Sequence, residues 1–415
     1  MTASRTDNTP NGPAAGVPLF DMRRQTAALR DEIARALDRV CESGRFIFGP
    51  DCRELEDNLA SLCQVQHAVG CASGSDALLL ALMAIEVGPG DEVLLPSYTF
   101  FATASAVTRL GARPVFVDID PATCNMSPQH AASLVTRATK AIIPVHLYGQ
   151  CAEMEPLLAL ARLHSLMVIE DAAQAIGAQY ADRPAGSWGH MGCFSFYPTK
   201  NLGGFGDGGM LTTNDAALAA RLRLLRGHGM EPRYHHQVIG INSRLDSLQA
   251  AVLNVKLPHL ERWTADRDVN AHRYARLLKE RGLDRHIELP QVAPRRRHVW
   301  NQYVIRVPDG QRDALRAHLE AQRVGTEIYY PLPLHLQPCF NSLGYKMGML
   351  PETERAAQET LALPIFPELT ADEQQSVVQA IGSFFGESTT PNRGLKRPKF
   401  LDRQRNSANS HTPGA

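Results

Sequence analysis

The sequence predicts an α/β fold: a large domain on a mostly parallel sheet sandwiched by helices, followed by a smaller C-terminal α+β domain. Three observations carry this. Apolar strand-like runs at residues 92–95, 115–119, 141–146 and 166–170 begin about 23–26 residues apart, with helical periodicity between them; this is βαβ spacing. The run at 166–170 ends abruptly in Glu170-Asp171, which delivers a carboxylate where α/β sheets place ligands. A further run, 193–197, ends in Pro198-Thr199-Lys200 and a glycine-rich loop.

With 415 residues and 44% apolar content, the chain is long enough for two cores. Residues 17–255 are assigned to the large domain and 256–385 to linking helices and the small domain. Residues 1–16 and 386–415 lack periodicity and are expected to be disordered. Lys plus Arg equals Asp plus Glu, at 43 each, so no global basic field points to nucleic acid. No apolar run reaches the roughly 18–20 residues of a membrane span, and the N-terminus lacks the apolar core of a signal peptide. The eight cysteines form no CxxC pair. They read as reduced, buried thiols of a cytoplasmic protein with no metal site.

The elements follow in order. Ala28, Leu29, Ile33, Ala36, Leu37 and Val40 recur at helical spacing up to a stop at Gly44, and a second helix covers 52–63. Residues 69–85 read as a short strand, then Ser73-Gly74-Ser75-Asp76, then a helix capped by Ser75 or Asp76. That helix start is either an anion site, with Gly74 allowing close approach, or an ordinary cap. Helices are expected over 100–110, 127–136 and 154–164. Residues 208–213 are expected to form an antiparallel neighbour of the 193–197 strand. His146 is read either as a proton-transfer group or as a satisfied, half-buried histidine. Helices over 215–225 and from about 240, ended or kinked by Pro258, lead into a third over 260–278. In the small domain, strands are expected over 300–307 and 326–330, and helices over 312–322, 351–360 and 370–385. The proline-rich stretch 329–338 reads as a loop over a site.

The pairing of Asp171 with Lys200, each at a strand end, matches one chemistry. Pyridoxal phosphate (PLP) forms a Schiff base with a lysine amine, while a carboxylate keeps its ring nitrogen protonated. Taken alone, Lys200 reads as a solvated loop lysine; the pairing is what points to this chemistry.

The stretches FGPDCRELEDNLA, ASGSDALLLAL, GDEVLLPSYTFFATASA, PVFVDID, IPVHLYGQ, VIEDAAQAIGA, FSFYPTKNLGGFGDGGMLTT, NSRLDSLQAA and YPLPLHLQ lie in this order along the chain. Through them the sequence resembles the DegT/DnrJ/StrS family of PLP-dependent nucleotide-sugar aminotransferases, over about residues 17–382. The resemblance implies the aspartate-aminotransferase fold (fold type I) with a seven-stranded sheet. It implies that Lys200 forms the aldimine and later moves the proton, that Asp171 pairs with the pyridinium nitrogen, and that Gln174 contacts the phenolic oxygen. Phe100 would stack on the ring, and Gly74, Ser75 and Ser195 would bind the phosphate. Asn242 would reach the phosphate of the neighbouring subunit, making a homodimer with shared active sites. Arg244, Tyr330 and His335 would face the sugar nucleotide.

The implied reaction is ping-pong transfer of an amino group from L-glutamate to a keto group, at C3, of a nucleotide-diphosphate-linked hexose; C4 is the competing position. Some relatives are dehydratases with histidine at the Schiff-base position. Lys200 argues against that chemistry, and the full Lys200/Asp171/Gln174 set argues against a purely regulatory protein. Two departures from the family pattern stand out: SGSD in place of SGTD, and Trp188-Gly189-His190, a loop expected to shape the sugar pocket.

Overall fold

The computed structural model describes residues 16–386. The expectations for the two ends, apart from Gly16 and Gly386, fall outside these residues. Helix α1 (Met22–Ser43) starts where the Asp21 carboxylate accepts the Arg23 N–H at 3.0 Å. It buries Leu29, Ile33, Ala36 and Val40 and ends at Gly44 in the left-handed region. Helix α2 (Pro50–Leu62) follows.

The large sheet has seven strands: β1 (His67–Cys71), β2 (Glu92–Pro96), β3 (Arg113–Val117), β4 (Thr139–Ile142), β5 (Met167–Asp171), β8 (Met191–Ser195) and β9 (Gly209–Thr213). Two-residue strands β6 (Gln179–Tyr180) and β7 (Arg183–Pro184) lie between β5 and β8 and pair with each other, and β6 pairs also with β10 (Arg296–Arg297). The order across the large sheet is β1-β9-β8-β5-β4-β2-β3. Only β9 runs against the others, as expected from its short connection to β8.

Side chains alternate between two cores, as the two-residue strand period requires. Leu94, Val168, Phe194 and Met210 face α2, α6 (Met154–His164) and α8 (Ser247–Lys256). Leu95, Ile169, Cys193 and Leu211 face α3 (Gly74–Ala84), α4 (Phe101–Arg109) and α7 (Ala216–Leu225). Both faces are thus covered, which explains why β5 and β8 read as unbroken apolar runs. The short α5 (Pro128–Ser133), capped by Ser127, completes this part.

A 3₁₀ turn at Leu257–His259 carries the chain past Pro258 into α9 (Leu260–Glu280). A second assembly follows. Strands β11 (Tyr303–Arg306) and β12 (Thr360–Leu363) pair antiparallel. They pack with α9, α10 (Arg312–Ala321) and α12 (Ala371–Phe384) around Tyr274, Leu278, Ile305, Leu319, Leu361, Val377 and Ile381. Helix α11 (Pro351–Glu359) leads into β12. Among the described residues no helix is long and apolar enough to cross a membrane.

Several expectations are corrected. Residues 326–330 form no strand: Glu327 alone exchanges hydrogen bonds with Ala362 of β12. The chain then turns away because the Tyr330 N–H donates to the Tyr98 hydroxyl and the Tyr148 hydroxyl donates to the Tyr329 carbonyl. Strands β3 and β8 each sit two residues earlier than expected, since the chain past Ser195 peels off toward Lys200. Helix α3 is capped by Ser73, not Ser75 or Asp76; the extended Ser73 accepts the Asp76 N–H at 3.1 Å. All eight cysteines are free, but Cys41 and Cys339 are exposed rather than buried.

Candidate active site

A cleft of about 610 Å³ opens at the carboxyl edge of the large sheet. Gly74 and Ser75 reach it from the start of α3, Thr99 and Phe100 from the end of β2, Asp171 and Gln174 from β5, and Ser195 and Lys200 from β8. Tyr329 and Tyr330 enter from the second assembly. Residues scattered over some 250 positions meet here because parallel strands align their carboxyl ends.

At the base lies Asp171, 5% exposed. Its Oδ2 accepts the Thr103 hydroxyl at 2.8 Å and its Oδ1 accepts the Ala173 N–H at 3.2 Å. Burial nevertheless raises its pKa; the hydrogen bonds and the Lys200 charge pull the other way. A cationic ligand ring would favour the ionised carboxylate. Burial also pushes the Lys200 amine down to about 8, against the pull of Asp171. Among the described residues Lys200 Nζ donates to no partner, so the amine is free for chemistry and closer to neutrality than a solvated lysine.

The opposite end suits an anion. The first turn of α3 presents N–H groups with no intrahelical acceptor, at the positive end of the helix dipole. Gly74 packs against Ser195 so closely that an added Cβ would lie 2.7 Å from the Ser195 Cβ. Between the two ends, Phe100 is 57% exposed, with its ring 6.1 Å from that of Tyr330. Gln174 accepts the Tyr148 N–H at 2.6 Å, and its amide reaches the Tyr330 hydroxyl at 3.3 Å. The cleft therefore offers an anion cradle, a flat aromatic wall, a buried carboxylate and a free amine.

The other expected site residues lie elsewhere. His335 is buried, with Nδ1 2.7 Å from the Ser97 hydroxyl and Nε2 3.1 Å from Glu354. It ties the proline-rich loop to the end of β2 and does not line the cleft. Asn242 is exposed and bridges Gly227, and Arg244 forms no ion pair among the described residues; neither lines this chain's cleft.

Trp188-Gly189-His190 does not shape the pocket. The Trp188 and Gly189 N–H groups each donate to Glu170 Oε1 at 2.7 Å, and His190 Nδ1 accepts the Val168 N–H. His146 is fully buried rather than half-buried and is satisfied. Its Nδ1 accepts the Ala152 N–H at 3.1 Å, so the proton sits on Nε2 and is donated to Glu170 at 2.8 Å.

Sequence reasoning missed Thr103, Tyr197, Asp207, Gln302 and Tyr329. Thr103 follows Thr99 by four residues, a spacing that was visible; Gln302 and Tyr329 arrive only through tertiary packing.

The sequence profile of the DegT/DnrJ/EryC1/StrS aminotransferase family matches residues 27–382. A pleiotropic regulatory protein of Geobacillus stearothermophilus is 53% identical over 89% of this chain and 98% of its own. The UDP-N-acetyl-3-dehydro-alpha-D-glucosamine 3-aminotransferase of Acidithiobacillus ferrooxidans is 46% identical over 88% of this chain and 97% of its own. The crystal structure of S. venezuelae DesV with a ketimine intermediate superposes with a TM-score of 0.87 at 42% identity, covering 90% of this chain and all of DesV. The fold expected from the sequence is thus the fold of these enzymes, and the chain belongs to the DegT/DnrJ/EryC1/StrS aminotransferase family.

Proposed function

We propose that this protein is a PLP-dependent aminotransferase that moves the amino group of L-glutamate to the C3 keto group of a nucleotide-diphosphate-linked hexose. One observation carries the reading: Lys200, Asp171 and the Gly74–Ser195 cradle line a single cleft at the carboxyl edge of the sheet. The residues fit PLP. The missing Cβ at Gly74 lets the first turn of α3 pack close against Ser195, which brings helix N–H groups and the Ser195 hydroxyl together for a phosphate, Phe100 offers a face for the ring, and Asp171 offers a buried carboxylate to the ring nitrogen. Bound PLP supplies the electron sink that allows a substrate C–H bond to break.

The chain's own residues do the rest. Asp171 stays ionised beside the cationic ring and holds it in place. Gln174 is expected to orient the phenolic oxygen. The Lys200 amine, lowered toward neutrality, takes and returns the proton at the reacting carbon. Tyr330, whose ring lies 6.1 Å from that of Phe100 in the cleft wall, is assigned to the sugar.

Asn242 and Arg244, which do not line their own cleft, are assigned to the cleft of a second copy, Asn242 at the phosphate and Arg244 at the sugar nucleotide. Each active site then needs both subunits of a homodimer, in keeping with a cytoplasmic biosynthetic enzyme. The C3 position rests on the relative from Acidithiobacillus, named for 3-amination. Incubation with L-glutamate should release one equivalent of 2-oxoglutarate per site, and a panel of 3-keto and 4-keto nucleotide sugars should then show amination at C3. Amination at C4 alone would move the assignment. The relative named as a regulatory protein favours a second reading; a Lys200→Ala variant that kept full function in cells would support it and sink the enzyme.

A further inference from the structure

Three buried oxygens in a row lie behind the base of the cleft. The Thr103 hydroxyl donates to Asp171 Oδ2 at 2.8 Å. Its single proton is then committed, so the Thr99 hydroxyl, 3.1 Å away, must be the donor to Thr103. Thr99 is 2% exposed and lies two residues before α4, while Thr103 is fully buried in the first turn of that helix. The direction of the chain is thereby fixed: Thr99 to Thr103 to Asp171. A donor committed to a carboxylate makes it less basic, and a second donor behind the first strengthens it.

Resting on the PLP reading above, we infer that Thr103 is a positioning residue that keeps the shared proton on the cofactor ring nitrogen rather than on Asp171, with Thr99 polarising it from behind. The Ala173 N–H fixes the other carboxylate oxygen, so the pair of donors also sets the plane in which Asp171 meets the ring. Burial alone would drive Asp171 toward its protonated form, and Thr103 heads the interactions that oppose this. Without Thr103 the more basic carboxylate draws the proton from the ring, leaving a neutral acid beside a neutral pyridine.

The test uses the full-length protein loaded with PLP labelled with ¹⁵N at the ring nitrogen. In Thr103→Val, an isostere without the hydroxyl, the ¹⁵N shift should move from the protonated toward the unprotonated range. PLP affinity, measured by fluorescence titration, should fall about tenfold, as expected for losing one hydrogen bond to a charged group. Thr103→Ser should restore both, and Thr99→Val should move the ¹⁵N shift the same way by less.

An unchanged ¹⁵N shift in Thr103→Val overturns the inference, as does a Ser variant that behaves like Val, since the methyl group would then be what matters. If Thr103→Val does not fold, Thr99→Val decides: no change in its ¹⁵N shift overturns the inference. Failure of the wild-type protein to bind PLP would instead refute the cofactor reading itself.

Discussion

Replacing Gly74 with alanine should damage the anion cradle. The new Cβ would lie 2.7 Å from the Ser195 Cβ and 3.2 Å from its Cα and Oγ. Carbon pairs attract at about 3.5–4.0 Å, so the start of α3 and the end of β8 must separate by about 0.8 Å. Neither side yields easily. Ser195 is held in β8, whose residues pair with β9 from Gly192 to Ser195, and α3 is packed on both β8 and α4. Overpacking of this kind costs about 1–3 kcal/mol. If the structure opens at the cradle, the cost appears as PLP affinity weaker by roughly 5- to 150-fold. If the core takes the strain, it appears as a lower denaturation midpoint. Titration of the variant with PLP, together with urea unfolding of its cofactor-free form, reads both terms. A variant within about twofold of wild type in affinity and with an unshifted midpoint would refute the assignment of Gly74 to the cradle.

Three further outcomes follow from the buried polar groups. Glu170→Gln turns an amide nitrogen toward two of the four donors that Glu170 satisfies (His146, Gly186, Trp188 and Gly189), so urea unfolding should show a loss of about 3 kcal/mol, from two charge-assisted bonds at about 1.5 each. His335→Ala should lower stability by about 1–3 kcal/mol through the abandoned Glu354 and Ser97 groups while leaving the sugar-nucleotide KM of the folded fraction unchanged; a large KM rise at wild-type stability would restore His335 to the substrate site. His298, stacked 3.9 Å from Trp300, is pushed by burial to about 3. Below about pH 6.5 the unfolded chain binds a proton there that the folded chain refuses until about pH 3, so stability should fall by up to about 1.4 kcal/mol per pH unit across that window; His298→Asn, which keeps an acceptor for the Trp300 N–H, should flatten the slope.

The parts of the site that were legible in the sequence are those written locally. An apolar run ending in Glu170-Asp171 can be read because a strand buried on both faces leaves no alternation, and α6 matched at both ends because its periodicity stops at Ser165, which adopts the left-handed conformation. The cap of α3 was misassigned because Ser73, Ser75 and Asp76 all suit an N-terminus, and only the extended backbone of Ser73 selects among them.

Other features depend on partners far away in the chain. Residues 326–330 have the composition of a strand, yet hydroxyls of Tyr98 and Tyr148 draw the chain away after one bridge. His335 looked like a substrate ligand beside a proline-rich loop, but its Ser97 partner lies 238 positions earlier. Glu170, next to Asp171, proved to be a structural hub for His146 and the Trp188 loop. Asn242 was expected to act on a neighbouring subunit, a role that contacts within one chain do not test.

The most direct test of the central claim is borohydride reduction of the PLP-loaded protein followed by peptide mapping, beside Lys200→Ala and with the visible spectrum recorded before and after L-glutamate. The account predicts a yellow protein whose band is bleached by glutamate with one equivalent of 2-oxoglutarate released, a reduced adduct on Lys200, and neither adduct nor bleaching in the variant. A colourless protein that takes up no PLP, or an adduct on another lysine with glutamate turnover intact in Lys200→Ala, would contradict it.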